Sequence, residues 1–168
     1  GHIRHSTTEI IASLNETACR ECRDGEFITL LYSRININNM TLSYCNCGHE
    51  PGLLFRNGDI IELDKGGLVL GVTNTAQYTT ETINLLDGDC LLLYTDGLID
   101  AANFDGEMWG RERLIDVAKQ FTEGSAEQMG KNILQHRRRH VGLAKQIDDT
   151  SFVVVKIDRR AEPKFIKR

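Results

Sequence analysis

The sequence predicts an α+β fold, and three observations carry that prediction. Helical spacing is confined to residues 7 to 22 and to the region from 112 to 140, the chain between them breaks into short strand-like pieces, and one apolar run, Phe152 to Val155, follows the last helix. Strands that follow one another, rather than alternating with helices, favour antiparallel pairing.

Taken in order, residues 7 to 22 place Ile10, Ile11, Leu14 and Ala18 on one stripe, with Ser6 or Thr7 available as an N-cap three residues before an acid. Asp24-Gly25 ends that helix. Phe27 to Ile37 and Thr41 to Cys47 read as strands joined by the asparagine-rich turn Asn36 to Met40. Leu53 to Arg56 and Asp59 to Leu63 flank Asn57-Gly58, a dipeptide suited to the two positive φ angles of a tight hairpin. Gly66-Gly67 and Gly71 punctuate a loop, Tyr78 to Leu85 alternates as a strand, and Asp87-Gly88 turns the chain into the strand Cys90 to Tyr94. The strands together read as an antiparallel meander. Two helices follow, Glu112 to Phe121 and Ala126 to His140, the second with Met129, Ile133 and Leu134 at core spacing. Thr150 to Ile157 is the final strand, and the charge-rich residues 159 to 168 read as a tail behind a domain spanning 6 to 158.

A chain of 168 residues with 40% hydrophobic and 26% charged residues has ordinary globular composition, enough for one buried core. Its formal net charge of -4 argues against nucleic-acid binding, which leaves a basic footprint. No apolar run approaches a membrane span, and the amino terminus lacks the apolar core of a signal peptide. Five cysteines, an odd count in a domain that needs no staples, suit reduced thiols and a cytoplasmic protein.

The candidate chemistry lies at two strand mouths. Leu91-Leu92-Leu93-Tyr94 stops on Asp96-Gly97, and Asp148-Asp149 opens the last strand. Carboxylates at the ends of core strands cost several kcal/mol each if buried without compensation, so they are expected to be paired, solvated or bound to a cation. Hard divalent metals prefer such all-oxygen donors. Either acidic pair alone is also an ordinary turn or strand cap.

Several separated stretches resemble one family in order. Ser43-Tyr44-Cys45-Asn46-Cys47-Gly48-His49-Glu50-Pro51-Gly52 resembles the Tyr-Ala-Asn-Ala-Gly-His-Pro-Pro segment of the SpoIIE-like and RsbU-like bacterial serine/threonine phosphatases. Gly66-Gly67-Leu68-Val69-Leu70-Gly71-Val72 is similar to their Gly-Gly-x-x-Leu-Gly-Val loop, and Tyr94-Thr95-Asp96-Gly97-Leu98 to their Tyr-Thr-Asp-Gly-Leu. Trp109-Gly110-Arg111-Glu112-Arg113-Leu114 and Asp148-Asp149-Thr150 complete the series.

That family belongs to the metal-dependent PPM phosphatases, related to protein phosphatase 2C. The resemblance implies a sandwich of two antiparallel sheets flanked by helices. It also implies two Mn²⁺ or Mg²⁺ ions, hydrolysis of phosphoserine or phosphothreonine by metal-activated water, and a phosphorylated protein partner such as an anti-sigma-factor antagonist. Upstream sensor or receiver domains are common in such proteins. Carried over by position, the metal-site residues are Asp96, Asp148 and, less firmly, Asp149, with Gly97 shaping the loop; His49 is a candidate contact to phosphate or leaving group, and otherwise a structural histidine.

One departure matters. The family's Asp-x-x-Gly-His-Gly motif, whose aspartate bridges both metals, has no match here, which is expected of a chain that begins after the first strands of the domain. A catalytically inactive interaction module of the same fold is the alternative. Cys19-x-x-Cys22, Cys45-x-Cys47 and His49 would suit a zinc site, although small core thiols explain them more simply. Arg137-Arg138-Arg139 reads as a solvated basic face that could also attract an acidic partner or a phosphate.

Overall fold

The computed structural model describes residues 6–144 and 148–158. Helix α1 (Thr7–Glu21) starts on a capping box: the Ser6 hydroxyl accepts the Glu9 backbone N–H at 3.2 Å, and the Glu9 carboxylate accepts the Ser6 N–H at 2.7 Å. Its buried stripe is Thr7, Ile11, Asn15 and Ala18, while Leu14 is exposed. The predicted stripe is thus rotated. Asn15 turns inward because its amide bridges a distant loop, accepting from Gly71 N at 3.0 Å and donating to Thr73 O at 2.9 Å.

β1 (Leu30–Asn36) and β2 (Thr41–Cys47) form the predicted antiparallel hairpin, in register from Leu30 opposite Cys47 to Asn36 opposite Thr41. The Asn36 side chain closes the turn by accepting the Asn38 N–H, and Met40 takes positive φ. The segment before β1 stays outside the ladder, where Ile28 and Leu70 exchange two backbone bonds. β3 (Gly52–Arg56) and β4 (Asp59–Leu63) flank Asn57 and Gly58 at φ 50° and 88°, the signature of a type I′ turn.

Three expectations are corrected beyond this point. Gly66–Gly67 forms a short strand, β5, parallel to the end of β2, because glycine at 66 lets the two backbones meet where any Cβ would strike the Asn46 carbonyl. The strand predicted from Tyr78 shrinks to β6 (Glu81–Asn84), antiparallel to β2, with Tyr78 reduced to a single bridge to Gly67. The strands do not run as one meander either. They make two four-stranded sheets, one with β2 paired to β1, β5 and β6, the other in the order β4-β3-β7-β8. Alternating apolar residues specify a strand and its faces, whereas the choice of neighbour depends on contacts far along the chain.

β7 (Cys90–Tyr94) and β8 (Phe152–Lys156) fall inside their predicted spans, and helices α2 (Gly110–Gln120) and α3 (Ala126–Val141) shift by only one or two residues at their ends. The architecture is mixed α+β with antiparallel sheets and helices, as predicted. The described residues divide into two compact units that interleave along the sequence, one made of the chain up to Leu53 with Ile61–Leu85 and Leu93–Thr95, the other of Leu54–Ile60, Leu86–Leu92 and the described chain from Asp96 on. The first has a core of Ile11, Ala18, Cys45, Cys47, Leu70 and Tyr78. In the second, α3 packs against α2 and β8, and the buried Asp89 is held by Arg56 through bonds of 2.9 and 2.6 Å. The charged tail from 159 lies outside the described residues.

Candidate active site

β7 leads into a tight turn over Asp96–Leu98, where the Asp96 carbonyl accepts the N–H groups of Ile99 and Asp100 at 2.8 and 2.9 Å. The Asp96 carboxylate is exposed, and its Oδ1 accepts the Gly97 N–H at 2.8 Å. The second acidic pair repeats this arrangement. Asp148 Oδ1 accepts the Asp149 N–H at 2.7 Å, and both acids are exposed just before β8. Each turn therefore presents its first acid outward while satisfying the backbone behind it.

Gly97 brings the two segments together. It is buried, and a Cβ there would stand 3.5 Å from Asp148 Cβ, 3.1 Å from the Asp149 carbonyl carbon and closer still to the Asp149 oxygen. Only a residue without a side chain allows this approach. Thr150 fastens the junction by donating its hydroxyl to Gly97 O at 3.0 Å. Asp96, Gly97, Asp148 and Asp149, predicted from separate stretches, thus share one corner of the second unit.

Arg137 does not lie on the solvated basic face that its sequence neighbours predict. It is 6% exposed, on the buried stripe of α3 with Met129, Ile133 and Val141, so the solvated-face description holds only for Arg138 and Arg139. Its Nε donates to Leu98 O at 3.2 Å, and its Nη2 donates to Gly97 O at 3.2 Å and to the Thr150 hydroxyl at 3.0 Å. Burial lowers the pKa of this guanidinium from its ordinary value. The signal was present in the sequence: Arg137 continues the four-residue spacing of Met129 and Ile133 on to Val141.

His49 belongs to the first unit. Its backbone is clasped by Asn46, whose Oδ1 accepts the His49 N–H at 2.8 Å and whose Nδ2 donates to His49 O and Leu63 O at 3.0 and 3.1 Å. The ring atom Nδ1 is buried with no hydrogen-bond partner. The zinc alternative finds no support: among the described residues no three His, Cys, Asp or Glu side chains stand together as a metal cluster, and Asp96, Asp148 and Asp149 do not form one either. Cys45 and Cys47 are instead core thiols 3.8 Å apart, and burial pushes both pKa values up.

The acidic corner supplies only hard oxygen donors, which suit Mg²⁺ or Mn²⁺, ions that keep several water ligands and need few protein ones. Gly97 contributes shape, since both Thr150 and Arg137 already donate to its carbonyl oxygen.

The family model described as stage II sporulation protein E (SpoIIE) matches residues 2–158. Phosphoserine phosphatase RsbU of Bacillus subtilis is 28% identical over 128 residues, covering 75% of this chain and 38% of RsbU. The solved phosphatase domain of the cell fate determinant SpoIIE from Bacillus subtilis, presoaked with Mn, is 16% identical with a TM-score of 0.59, over 98% of this chain and 79% of that one. The RsbU and RsbW domains of Rv1364c from Mycobacterium tuberculosis give 20% identity and a TM-score of 0.72, over 89% of this chain and 41% of that one. This chain spans 38% or less of the length of the curated relatives it matches.

Proposed function

This chain belongs to the SpoIIE family, as a PPM-type phosphatase domain of the SpoIIE/RsbU kind, and from that premise we propose that it hydrolyses phosphoserine or phosphothreonine on a regulatory protein partner. The observation that carries the proposal is the contact of the Asp96 turn with the Asp148–Asp149 segment across Gly97. Asp96 and Asp148, with Asp149 beside them, would hold Mn²⁺ or Mg²⁺. When bound, such ions activate a water for in-line attack and neutralise phosphate charge.

The chain's own residues orient this chemistry. Asp96 and Asp148 each have one carboxylate oxygen anchored to a backbone N–H, which restricts rotation of the side chain and fixes its direction. Gly97 and Thr150 hold the two backbones in contact behind the acids. No side-chain nucleophile is needed in this reading. Partner switching by an anti-sigma-factor antagonist in the cytoplasm suits this reading, given a relative named phosphoserine phosphatase RsbU and a neighbour that joins RsbU and RsbW domains. No helix among the described residues is long and apolar enough to cross a membrane.

The test is Mn²⁺-dependent hydrolysis of p-nitrophenyl phosphate by the full-length protein, with Asp96→Asn and Asp148→Asn alongside the parent. Each substitution removes an anionic donor to the ion and is expected to lower the rate by at least the about 10- to 100-fold lost with an outer-shell partner. If neither changes rate or Mn²⁺ affinity, the site is wrongly placed. A folded parent that binds Mn²⁺ without hydrolysing any phosphoester would instead support an interaction module of the same fold.

A further inference from the structure

A buried guanidinium is an expensive choice for the core-facing stripe of α3. The neighbouring stripe positions hold Met129, Ile133 and Val141, and a leucine or methionine would pack at 137 without the cost of several kcal/mol for removing a charge from water. No acidic side chain among the described residues forms an ion pair with Arg137. Among the described residues its hydrogen bonds go to three oxygens, Leu98 O and Gly97 O on the turn after Asp96, and the Thr150 hydroxyl next to Asp149. That hydroxyl in turn donates to Gly97 O, which closes a ring of bonds across the junction.

We infer that Arg137 is a positioning residue whose guanidinium, from behind, sets the placement of the Asp96 turn against the Asp148–Asp149 segment, and with it the spacing of the carboxylates that receive the metal. The last clause rests on the function proposed above; the placement of the two segments does not. Arginine suits the task better than lysine, because its rigid fork sends Nε and Nη2 to neighbouring oxygens at once, whereas an ammonium on a flexible stem fixes no such angle. The role is distinct from holding the fold together. Met129, Ile133 and Val141 already anchor α3 in its unit, while the polar bonds of Arg137 all end on the acidic corner.

The experiment uses the 168-residue chain with Arg137→Met, Arg137→Lys and, as the exposed neighbour, Arg138→Met. Two quantities are measured: metal-free amide hydrogen exchange at Gly97, Ile99, Asp100 and Asp149, and the Mn²⁺ dissociation constant by calorimetry. Arg137→Met is expected to speed exchange at those four amides by about tenfold or more beyond the rest of α3 and β8, and to weaken Mn²⁺ binding by about 10- to 100-fold, the usual loss for an outer-shell residue. Arg137→Lys should recover part of both effects, and Arg138→Met should match the parent. Acceleration spread evenly over the unit, or none at the four amides, overturns the inference. Should Arg137→Met fail to fold, Arg137→Lys decides on the same amides: local acceleration supports the inference, and exchange equal to the parent's overturns it. If the parent binds no Mn²⁺, the metal function fails, while the exchange data still judge the positioning role.

Discussion

Replacing Gly97 with alanine tests the geometry of the acidic corner most directly. The added Cβ would stand 3.1 Å from the Asp149 carbonyl carbon and inside 3.0 Å of its oxygen, a backbone group with no rotamer in which to escape. Restoring ordinary contact requires the two segments to part by about 1 Å. Such overpacking costs about 1–3 kcal/mol, and loss of the Thr150 to Gly97 hydrogen bond adds about 1 kcal/mol. The sum of about 2–4 kcal/mol should lower the thermal midpoint by roughly 4–15 °C. Calorimetry of the parent and Gly97→Ala, followed by Mn²⁺ titration well below the lower midpoint, reads both consequences. Metal affinity should fall with stability, because the parted segments carry Asp96 and Asp148. An alanine variant with the parent's midpoint and affinity would refute the close approach and the shared corner with it.

Three further outcomes follow from other parts of the molecule. Asp89 is 1% exposed and accepts from both Arg56 and the Leu86 N–H, so Asp89→Ala should cost about 1–3 kcal/mol in urea unfolding by removing the charge-assisted bond and the acceptor of a backbone N–H. Gly130 lies inside α3 with room for a Cβ at 3.4 Å from the Phe152 ring, and Gly130→Ala should therefore raise stability by about 0.5–1 kcal/mol on the same measurement. Burial pushes the Cys47 thiol up to about 12 from 9.0, and the Cys45 and Cys90 thiols also upward. The folded chain thus keeps protons that the unfolded chain releases. This contribution to stability is complete below pH 9 and lost as pH rises from 9 towards 12, which urea midpoints across that range should show. Midpoints that hold steady through the range would contradict burial of these thiols.

Much of this protein is local and therefore legible. Ser6 and Glu9 announce the start of α1, Asn57-Gly58 demands a type I′ turn, and the apolar run from Leu91 to Tyr94 can only be a buried strand or helix segment, too short for the latter. Asp96 and Asp148 stood out because acids at the ends of such strands need a reason. Leu14 and Asn15 show the limit. By hydrophobicity Leu14 belongs inside, yet Asn15 takes the buried position because Gly71 and Thr73 answer its amide, and they lie 56 and 58 residues away. Gly66 and Gly67 likewise looked like loop residues, and became strand only because β2 offers its edge to a backbone without side chains.

By itself the sequence determined most element types, the hairpin turns and the two acidic stretches, since these depend on φ/ψ preference and on periodicity within a few residues. Only the tertiary structure decided that Gly97 lies against Asp149 and that Arg137 turns inward to hold Gly97, Leu98 and Thr150. The physical reason is that a buried polar group is tolerable only where its partners are. Arg137 finds its partners 13 to 40 residues away, a distance that no local pattern records.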